Sequence, residues 1–426
     1  MAQVIALLGT GLATVALGLL AYELAGADAG AVLGTALAIK MVAYVGVAPI
    51  ASAFAERLPR RAMLVGLDFV RAAVALLLPF VSEIWQVYAL IFVLQSASAA
   101  FTPTFQATIP DILPDERDYT RALSLSRLAY DLESVASPML AAALLTVVSF
   151  HSLFASTVVG FLISALLVVS VALPSPKPSE PRGIYARTTS GLRIFLATPR
   201  LRGLLALNLA VAAASAMVIV NTVVFVQAEL GLPQQATAFA LAAFGGGSML
   251  AAFFVPRLLD TIADRTAMLA GAILLATGLL AGTLVGFYAS LLALWSVLGV
   301  GYSLAQTPSG LLLRRSARPE DRPALFAAQF ALSHACWLLT YPVAGWLGAK
   351  VGLHATFAVL GLTAGVAVFL ALRLWPAQDP DEIDHVHTTL PDDHPHVAHA
   401  ERVGQGYRHR HSYVIDTHHA QWPREN

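Results

Sequence analysis

Apolar residues fall along this chain in unbroken blocks of twenty or more, separated by short stretches that hold the charges, glycines and prolines. The blocks occupy residues 3–24, 31–54, 62–81, 85–108, 121–148, 152–173, 201–228, 235–256, 266–286, 289–313, 323–348 and 353–375. Neither the two-residue alternation of a half-buried strand nor the narrow stripe of an amphipathic surface helix governs them. About 20 apolar residues in α-helical form cross the hydrocarbon core of a bilayer. The pattern therefore predicts an all-α integral membrane protein with twelve transmembrane helices. The apolar pattern ends near residue 376, and a polar segment follows to residue 426.

Composition agrees. Hydrophobic residues make up 57% of the 426 and charged residues 12%, against roughly 25% charged in an average soluble domain. A soluble chain of this length needs far more polar surface. The single cysteine, Cys336, excludes an internal disulfide framework. Met1-Ala2-Gln3 runs straight into apolar sequence without a basic stretch, so no cleavable leader is expected, and a short cytoplasmic lead is expected upstream. No phosphate-binding glycine loop occurs, which removes support for ATP-driven transport. No nucleophile–base or metal-hydrolase spacing is present. An enzyme, a cofactor and a nucleic-acid partner are not expected.

The net charge of zero hides an asymmetry. Alternate loops hold Arg57, Arg60 and Arg61; Arg117 and Arg121; Lys177, Arg182, Arg187, Arg193, Arg200 and Arg202; Arg257 and Arg265; Arg314, Arg315, Arg318 and Arg322. The opposite loops hold almost only Lys350. Basic loops face the cytoplasm, and an even number of spans places both termini there.

Residues 174–199 form the longest inter-span segment, rich in Pro, Ser and Arg. They separate an N-terminal half (1–173) from a C-terminal half (200–375), with the tail at 376–426. The halves correspond at one offset. Arg61-Ala62-Met63-Leu64 matches Thr266-Ala267-Met268-Leu269, Thr102-Pro103 matches Thr307-Pro308, and Pro114-Asp115-Glu116-Arg117 matches Pro319-Glu320-Asp321-Arg322, each 205 residues apart. Three matches in one register argue for two six-helix repeats.

The stretch Ala55-Glu56-Arg57-Leu58-Pro59-Arg60-Arg61 resembles the signature loop between helices two and three of major facilitator transporters, with Glu56 where Asp is usual and Ala51 or Ser52 where Gly is usual. An anion followed by cations at the membrane boundary can lock and unlock a helix gate. Ala99-Ala100-Phe101-Thr102-Pro103-Thr104-Phe105-Gln106, followed by Ile109-Pro110-Asp111, resembles the efflux branch of that superfamily, which includes macrolide and siderophore exporters. Ser137-Pro138 resembles the Gly-Pro element of exporters, with Ser in place of Gly. Within this branch the twelve spans and the histidine-rich tail resemble the NreB-type nickel-resistance exporters. The resemblance implies proton-coupled efflux of Ni²⁺, or Co²⁺, by a monomer in the bacterial inner membrane.

Nine of the twelve histidines lie in the tail: His385, His387, His394, His396, His399, His409, His411, His418 and His419. Three H-x-H pairs recur. In an extended segment such a pair presents both imidazoles on one side, about 6–7 Å apart at Cα. Imidazole with nearby carboxylate suits Ni²⁺, Zn²⁺, Co²⁺ and Cu²⁺. The prolines and low hydrophobicity of the tail predict disorder, which is compatible with metal capture. Such a tail buffers, senses or delivers the ion and is not itself the transport site.

Ionisable residues inside a membrane cost about 2.5–3.5 kcal/mol on insertion scales, so each is a functional candidate. Span five carries Arg127, Asp131 and Glu133, and Arg127 and Asp131 share a helical face. They are a structural pair or a proton-coupling site. Lys40 in span two is a candidate counter-ion for Asp131 or Glu133. Asp68 and Arg71 in span three read as gate residues together with Glu56, Arg57, Arg60 and Arg61. His334 and Cys336 in span eleven match span five in depth, but residues two apart on a helix point about 200° apart, so one of them faces the cavity; His334 is favoured. Gly245-Gly246-Gly247 reads as close helix packing. Asn208, Asn221 and Gln227 are candidate polar contacts to the cavity. The expected mechanism is alternating access, with external protons displacing the ion at Asp131 or Glu133. Export of an organic substrate is the alternative.

Overall fold

The computed structural model describes residues 2–55, 59–112, 137, 139–171, 184–318, 321–380, 382–387, 400–404, 406–416, 419 and 421–423. Span one is Ala2–Ala25, span two Ala29–Ala55, span three Arg60–Leu77, span four Ile84–Ile112 and span six Phe150–Val169. In the second half span seven is Pro199–Val223, span eight Gln234–Leu259, span nine Asp264–Gly282, span ten Tyr288–Gln306, span eleven Arg322–Val351 and span twelve Leu353–Leu374. Most of the stretch expected to form span five lies outside the described residues. Among those described, ten segments are long and apolar enough to cross a membrane, and the first, Ile5–Val47, is 43 residues long. As one helix it would reach about 64 Å, twice the roughly 30 Å hydrocarbon core, and it holds both span one and span two.

These blocks are helical for a physical reason. In lipid each backbone N–H and C=O needs an internal partner, which a helix supplies within one segment. The segments end where that supply is interrupted. Gly26, Gly231 and Gly352 adopt φ of 53°, 64° and 102°, a left-handed conformation that reverses the chain between spans one and two, seven and eight, and eleven and twelve. Gly26 and Gly231 stand at the 205-residue offset, so the repeat register recurs in backbone conformation. Span ten stops at Gln306, and a separate short helix, Ser309–Arg315, follows Pro308; proline lacks the N–H that would continue the ladder. The two helices together make one apolar span, Tyr288–Arg315, over the stretch expected as span ten. The inter-half segment, expected as a loop, contains a helix at Ile184–Ala197 whose Ile194 and Phe195 are buried.

Within the first half span one packs on span six, span two on span four, and span three on spans four and six. Within the second half span seven packs on span twelve, eight on ten, and nine on ten and twelve. Gly247 of span eight lies so close to the Ser296 carbonyl of span ten that a Cβ has no room, the close packing expected of the glycine run. Side-chain hydrogen bonds stitch helices together: Thr157 Oγ1 donates to the Gly9 carbonyl (2.7 Å), and Trp295 Nε1 donates to Thr222 Oγ1 (2.8 Å). Large apolar side chains such as Phe69, Trp85, Phe253 and Phe254 are exposed on the outside of the bundle, as lipid contact requires.

The halves meet along spans two and eleven. At the end opposite the arginines the approach is backbone to backbone. A Cβ on Gly34 would lie 2.5 Å from the Tyr341 carbonyl oxygen, and one on Gly345 would collide with the Gly30 carbonyl. Asn221 of span seven donates from Nδ2 to the Ala344 carbonyl (2.9 Å) and places Oδ1 beside Gly30 and Gly348. Asn221, expected as a polar contact to the cavity, is thus placed in a three-helix junction. Trp346 Nε1 donates to Thr35 Oγ1 (3.0 Å), and Gln235 Nε2 to the Leu145 carbonyl (3.2 Å), at the same end. The structure is closed at that end.

The described residues of the tail, expected to be disordered, form a sheet. Glu382–His387 (β1), Glu401–Val403 (β2) and Gly406–Ser412 (β3) form an antiparallel sheet in the order β1-β3-β2. His385 pairs with His409 and Asp384 with Arg410. The tail segment has too few apolar residues for a core of its own, but Ile415 and Tyr413 are buried in the same apolar cluster as the membrane helices. Docking on the bundle supplies the burial that composition alone withholds.

Candidate metal site

Strand periodicity builds the site. Side chains two apart on a strand share a face. Ile383, His385 and His387 therefore stand on one face of β1, and Tyr407, His409 and His411 on the matching face of β3. The intervening residues point the other way and form ion pairs: Arg408 binds Asp384, and Arg410 Nε lies 3.3 Å from Glu382. One sheet face is imidazole and the other is salt bridge.

His419 closes the cluster from beyond β3. Five histidines, His385, His387, His409, His411 and His419, each offer one ring nitrogen within 4.8 Å of all the others. His385 Nε2 lies 3.1 Å from His387 Nε2 and 3.0 Å from His419 Nε2. The other ring nitrogens are committed: His385 Nδ1 donates to the Ile383 carbonyl (3.0 Å), His411 Nδ1 to the Ser412 carbonyl (2.7 Å) and His419 Nδ1 to Asp416 Oδ1 (2.9 Å). That fixes the tautomers of His385 and His419 and sets their Nε2 lone pairs facing each other, an arrangement that a shared metal ion would satisfy. Burial lowers the pKa of His385 and His409, and it pushes His387 and His419 down to about 4, the latter against the pull of Asp416. These four imidazoles are therefore neutral at pH 7, the form that ligates a metal.

The spacing fits one ion. Nitrogens about 2.1 Å from a metal stand about 3.0 Å apart at right angles and about 4.2 Å apart in line. The site shows the first distance directly and brackets the second. A carboxylate that holds the outer nitrogen of a ligand histidine fixes the ring and raises its basicity, and Asp416 is placed to do so for His419. Asp416, Tyr413 and the docking residues were not foreseen from sequence. The alternation E-I-D-H-V-H against R-H-R-H, charge on one face and histidine on the other, was the signal that could have found the sheet. His394, His396, His399 and His418 lie outside the described residues.

The intramembrane candidates divide. Asp131, Glu133 and Arg127 lie outside the described residues, as do Glu56 and Arg57 of the gate loop. Lys40 lines a cavity in the first half with Thr10, Thr14, Gln95 and Ser98, and its Nζ stands 5.6 Å from the Tyr44 ring centre. Tyr44 reaches across the halves to His334, with ring centres 5.4 Å apart. His334 stacks on Phe330 at 3.9 Å and donates from Nδ1 to its carbonyl (2.7 Å). Cys336 is buried. Among the described residues neither joins a group of three or more potential ligands. Arg60 is half-buried and Arg61 exposed. Asp68 and Arg71 form a buried ion pair with each other, the guanidinium lying over Phe101 and Phe161 at 4.1 and 4.5 Å. The pair thus ties span three to spans four and six within one half. Replacing Arg71 with Leu strands the Asp68 carboxylate and is expected to cost about 3–5 kcal/mol, seen as a lowered unfolding temperature in detergent; an unchanged temperature would refute it.

The Major Facilitator Superfamily model matches residues 1–226 and again 204–390. The chain belongs to the major facilitator superfamily. As a major facilitator protein it is a membrane transporter, not an enzyme, and needs no cofactor. Among its relatives, the uncharacterised MFS-type transporter YfiS of Bacillus subtilis (strain 168) is 23% identical over 327 residues, 74% of this chain and 77% of that protein. Macrolide efflux protein A of Streptococcus pyogenes is 26% identical over 152 residues, 33% of this chain and 37% of that protein. Two solved structures share the fold: the nucleoside transporter NupG (TM-score 0.68, 11% identity, 88% of this chain and 99% of that one) and a D-xylose-proton symporter (TM-score 0.64, 14% identity, 88% and 96%).

Proposed function

We propose that this major facilitator transporter exports a divalent transition-metal ion, Ni²⁺ with Co²⁺ as the alternative, from the bacterial cytoplasm by proton antiport. The observation that carries this reading is the five-histidine cluster held against the arginine-rich end of the bundle. That end faces the cytoplasm by the distribution of arginines, so the cluster samples the compartment from which the ion is removed. Five nitrogens exceed the four that zinc takes in most structural sites and suit an ion of higher coordination number. The relatives named for macrolide efflux support the direction of transport. Closure at the opposite end corresponds to the state that loads from inside, and protons arriving from outside compete for Asp131 or Glu133 and release the ion.

A second reading, export of an organic compound, is favoured by Lys40, whose charge repels a bare cation, and by the Tyr44–Phe330–His334 aromatic group beside it. One experiment separates the two. In a host without its own exporters, tolerance to Ni²⁺, Co²⁺, Zn²⁺ and a macrolide is measured with the full chain and with 381–426 deleted. Metal tolerance that falls on deletion supports metal export; macrolide tolerance indifferent to deletion supports the alternative. Asp131→Asn is expected to abolish proton-driven uptake of Ni²⁺ into inverted vesicles, and undiminished transport would remove Asp131 from the mechanism.

A further inference from the structure

His419 and the bundle share one carboxylate. Asp416 Oδ1 accepts from the His419 backbone N–H (2.7 Å) and from its Nδ1 (2.9 Å), while Asp416 Oδ2 lies 2.6 Å from the Arg318 guanidinium. Arg318 belongs to the connection between spans ten and eleven. The root of the tail is anchored separately: Asp379 bonds Arg315 (2.6 Å), lies 3.4 Å from Arg200 and accepts from Trp375 Nε1 (3.0 Å). At the far end the Arg200 guanidinium stands 5.1 Å from the Trp422 ring centre. The tail therefore crosses the arginine-rich end of the second half and touches it at its root, at its metal ligand and near its end.

From this geometry we propose that metal binding at the five histidines and docking of the tail onto the span ten–eleven connection are a single equilibrium, so that the tail is a metal-operated clasp on the transporter. The proposal rests on the reading of the cluster as a metal site. A three-stranded sheet with one histidine face has little stability of its own. The ion holds β1, β3 and His419 together, and only with His419 in place is Asp416 presented to Arg318. Without the ion the imidazole nitrogens of His385 and His419 part and Asp416 withdraws from Arg318, while Asp379 keeps the root of the tail anchored. Span eleven runs from this connection to the junction of Gly345 with Gly30 and Gly34 at the opposite end. The clasp therefore acts on the helix that makes the closed contact between the halves. Coupling is reciprocal: whatever the ion adds to docking, docking adds to ion affinity.

The test uses the full chain in lipid nanodiscs with Ni²⁺ alone as the probe, read by calorimetry and by hydrogen exchange. In the wild type Ni²⁺ is expected to slow exchange at least tenfold both in β1 and β3 and in residues 316–318. Arg318→Gln keeps every ligand. It is expected to retain Ni²⁺-induced protection of the strands, to lose protection of 316–318, and to bind Ni²⁺ about tenfold more weakly, within the usual range of couplings. Strand protection in the wild type with exchange at 316–318 unaltered would overturn the clasp, as would an Arg318→Gln protein whose affinity and protection match the wild type. Absence of Ni²⁺ binding by the wild type would overturn the metal-site reading and the clasp together.

Discussion

Gly345→Val is expected to abolish transport while leaving the protein inserted in the membrane. A Cβ at this position collides with the Gly30 carbonyl oxygen and comes within 3.1 Å of the Gly34 Cα. In a fixed core such overpacking costs about 1–3 kcal/mol. In the proposed alternating-access cycle the contact lies between two halves that must separate, so the cost falls on the closed state alone. A penalty of about 3 kcal/mol shifts the open–closed ratio by roughly 100-fold, enough to leave few molecules able to close. Asn221 adds to the effect, because its Nδ2 donates to the carbonyl of Ala344, the residue just before the substituted glycine. The measurement is flux in proteoliposomes, with alkylation of a Thr35→Cys probe from the opposite side reporting whether that end stays open. Gly365→Val is the control, since nothing lies within 4 Å of a Cβ there. Normal flux through Gly345→Val would show that the glycine contact is not the closing point.

The second large effect is expected from His385→Ala, which should weaken Ni²⁺ binding by the tail at least about 100-fold. Loss of a supporting residue typically costs 10- to 100-fold, and in the proposed site His385 is itself a ligand at the centre of the cluster. Its ring centre lies 4.7–4.9 Å from those of His387, His409, His411 and His419. It is the residue whose Nε2 meets nitrogens from both β1 and the segment after β3. Val386→Ala, on the opposite face and exposed, should change nothing. Calorimetry on the full chain reads the affinity; a value unchanged in His385→Ala would mean that the cluster is not the binding site.

The bundle was legible because its rule is one-dimensional. A block of about 20 apolar residues reports a membrane helix whatever its neighbours are, and the ends of spans two, seven, eleven and twelve fall within a few residues of their expected positions. Pro308 was visible too, but whether a proline ends a helix depends on its surroundings: span four continues through Pro103 while span ten stops before Pro308. The order in the described part of the tail is not legible in its composition because its stabilising contacts are with the bundle, through Asp379, Asp416, Tyr413 and Ile415. His334, favoured over Cys336 to face the cavity, stacks on Phe330 with its Nδ1 bonded to that residue's carbonyl, a contact that helical spacing alone does not specify.

The sequence by itself determined the class of protein, the order of its helices, the 205-residue repeat and the set of histidines from which the candidate site is drawn, since each of these follows from local composition and spacing. Only the tertiary structure decided which histidines converge, that Asp416 joins one of them to Arg318, and that three glycines close the two halves at one end. Those facts depend on residues far apart in the chain being brought within a few ångströms of each other, and local pattern carries no record of such distances.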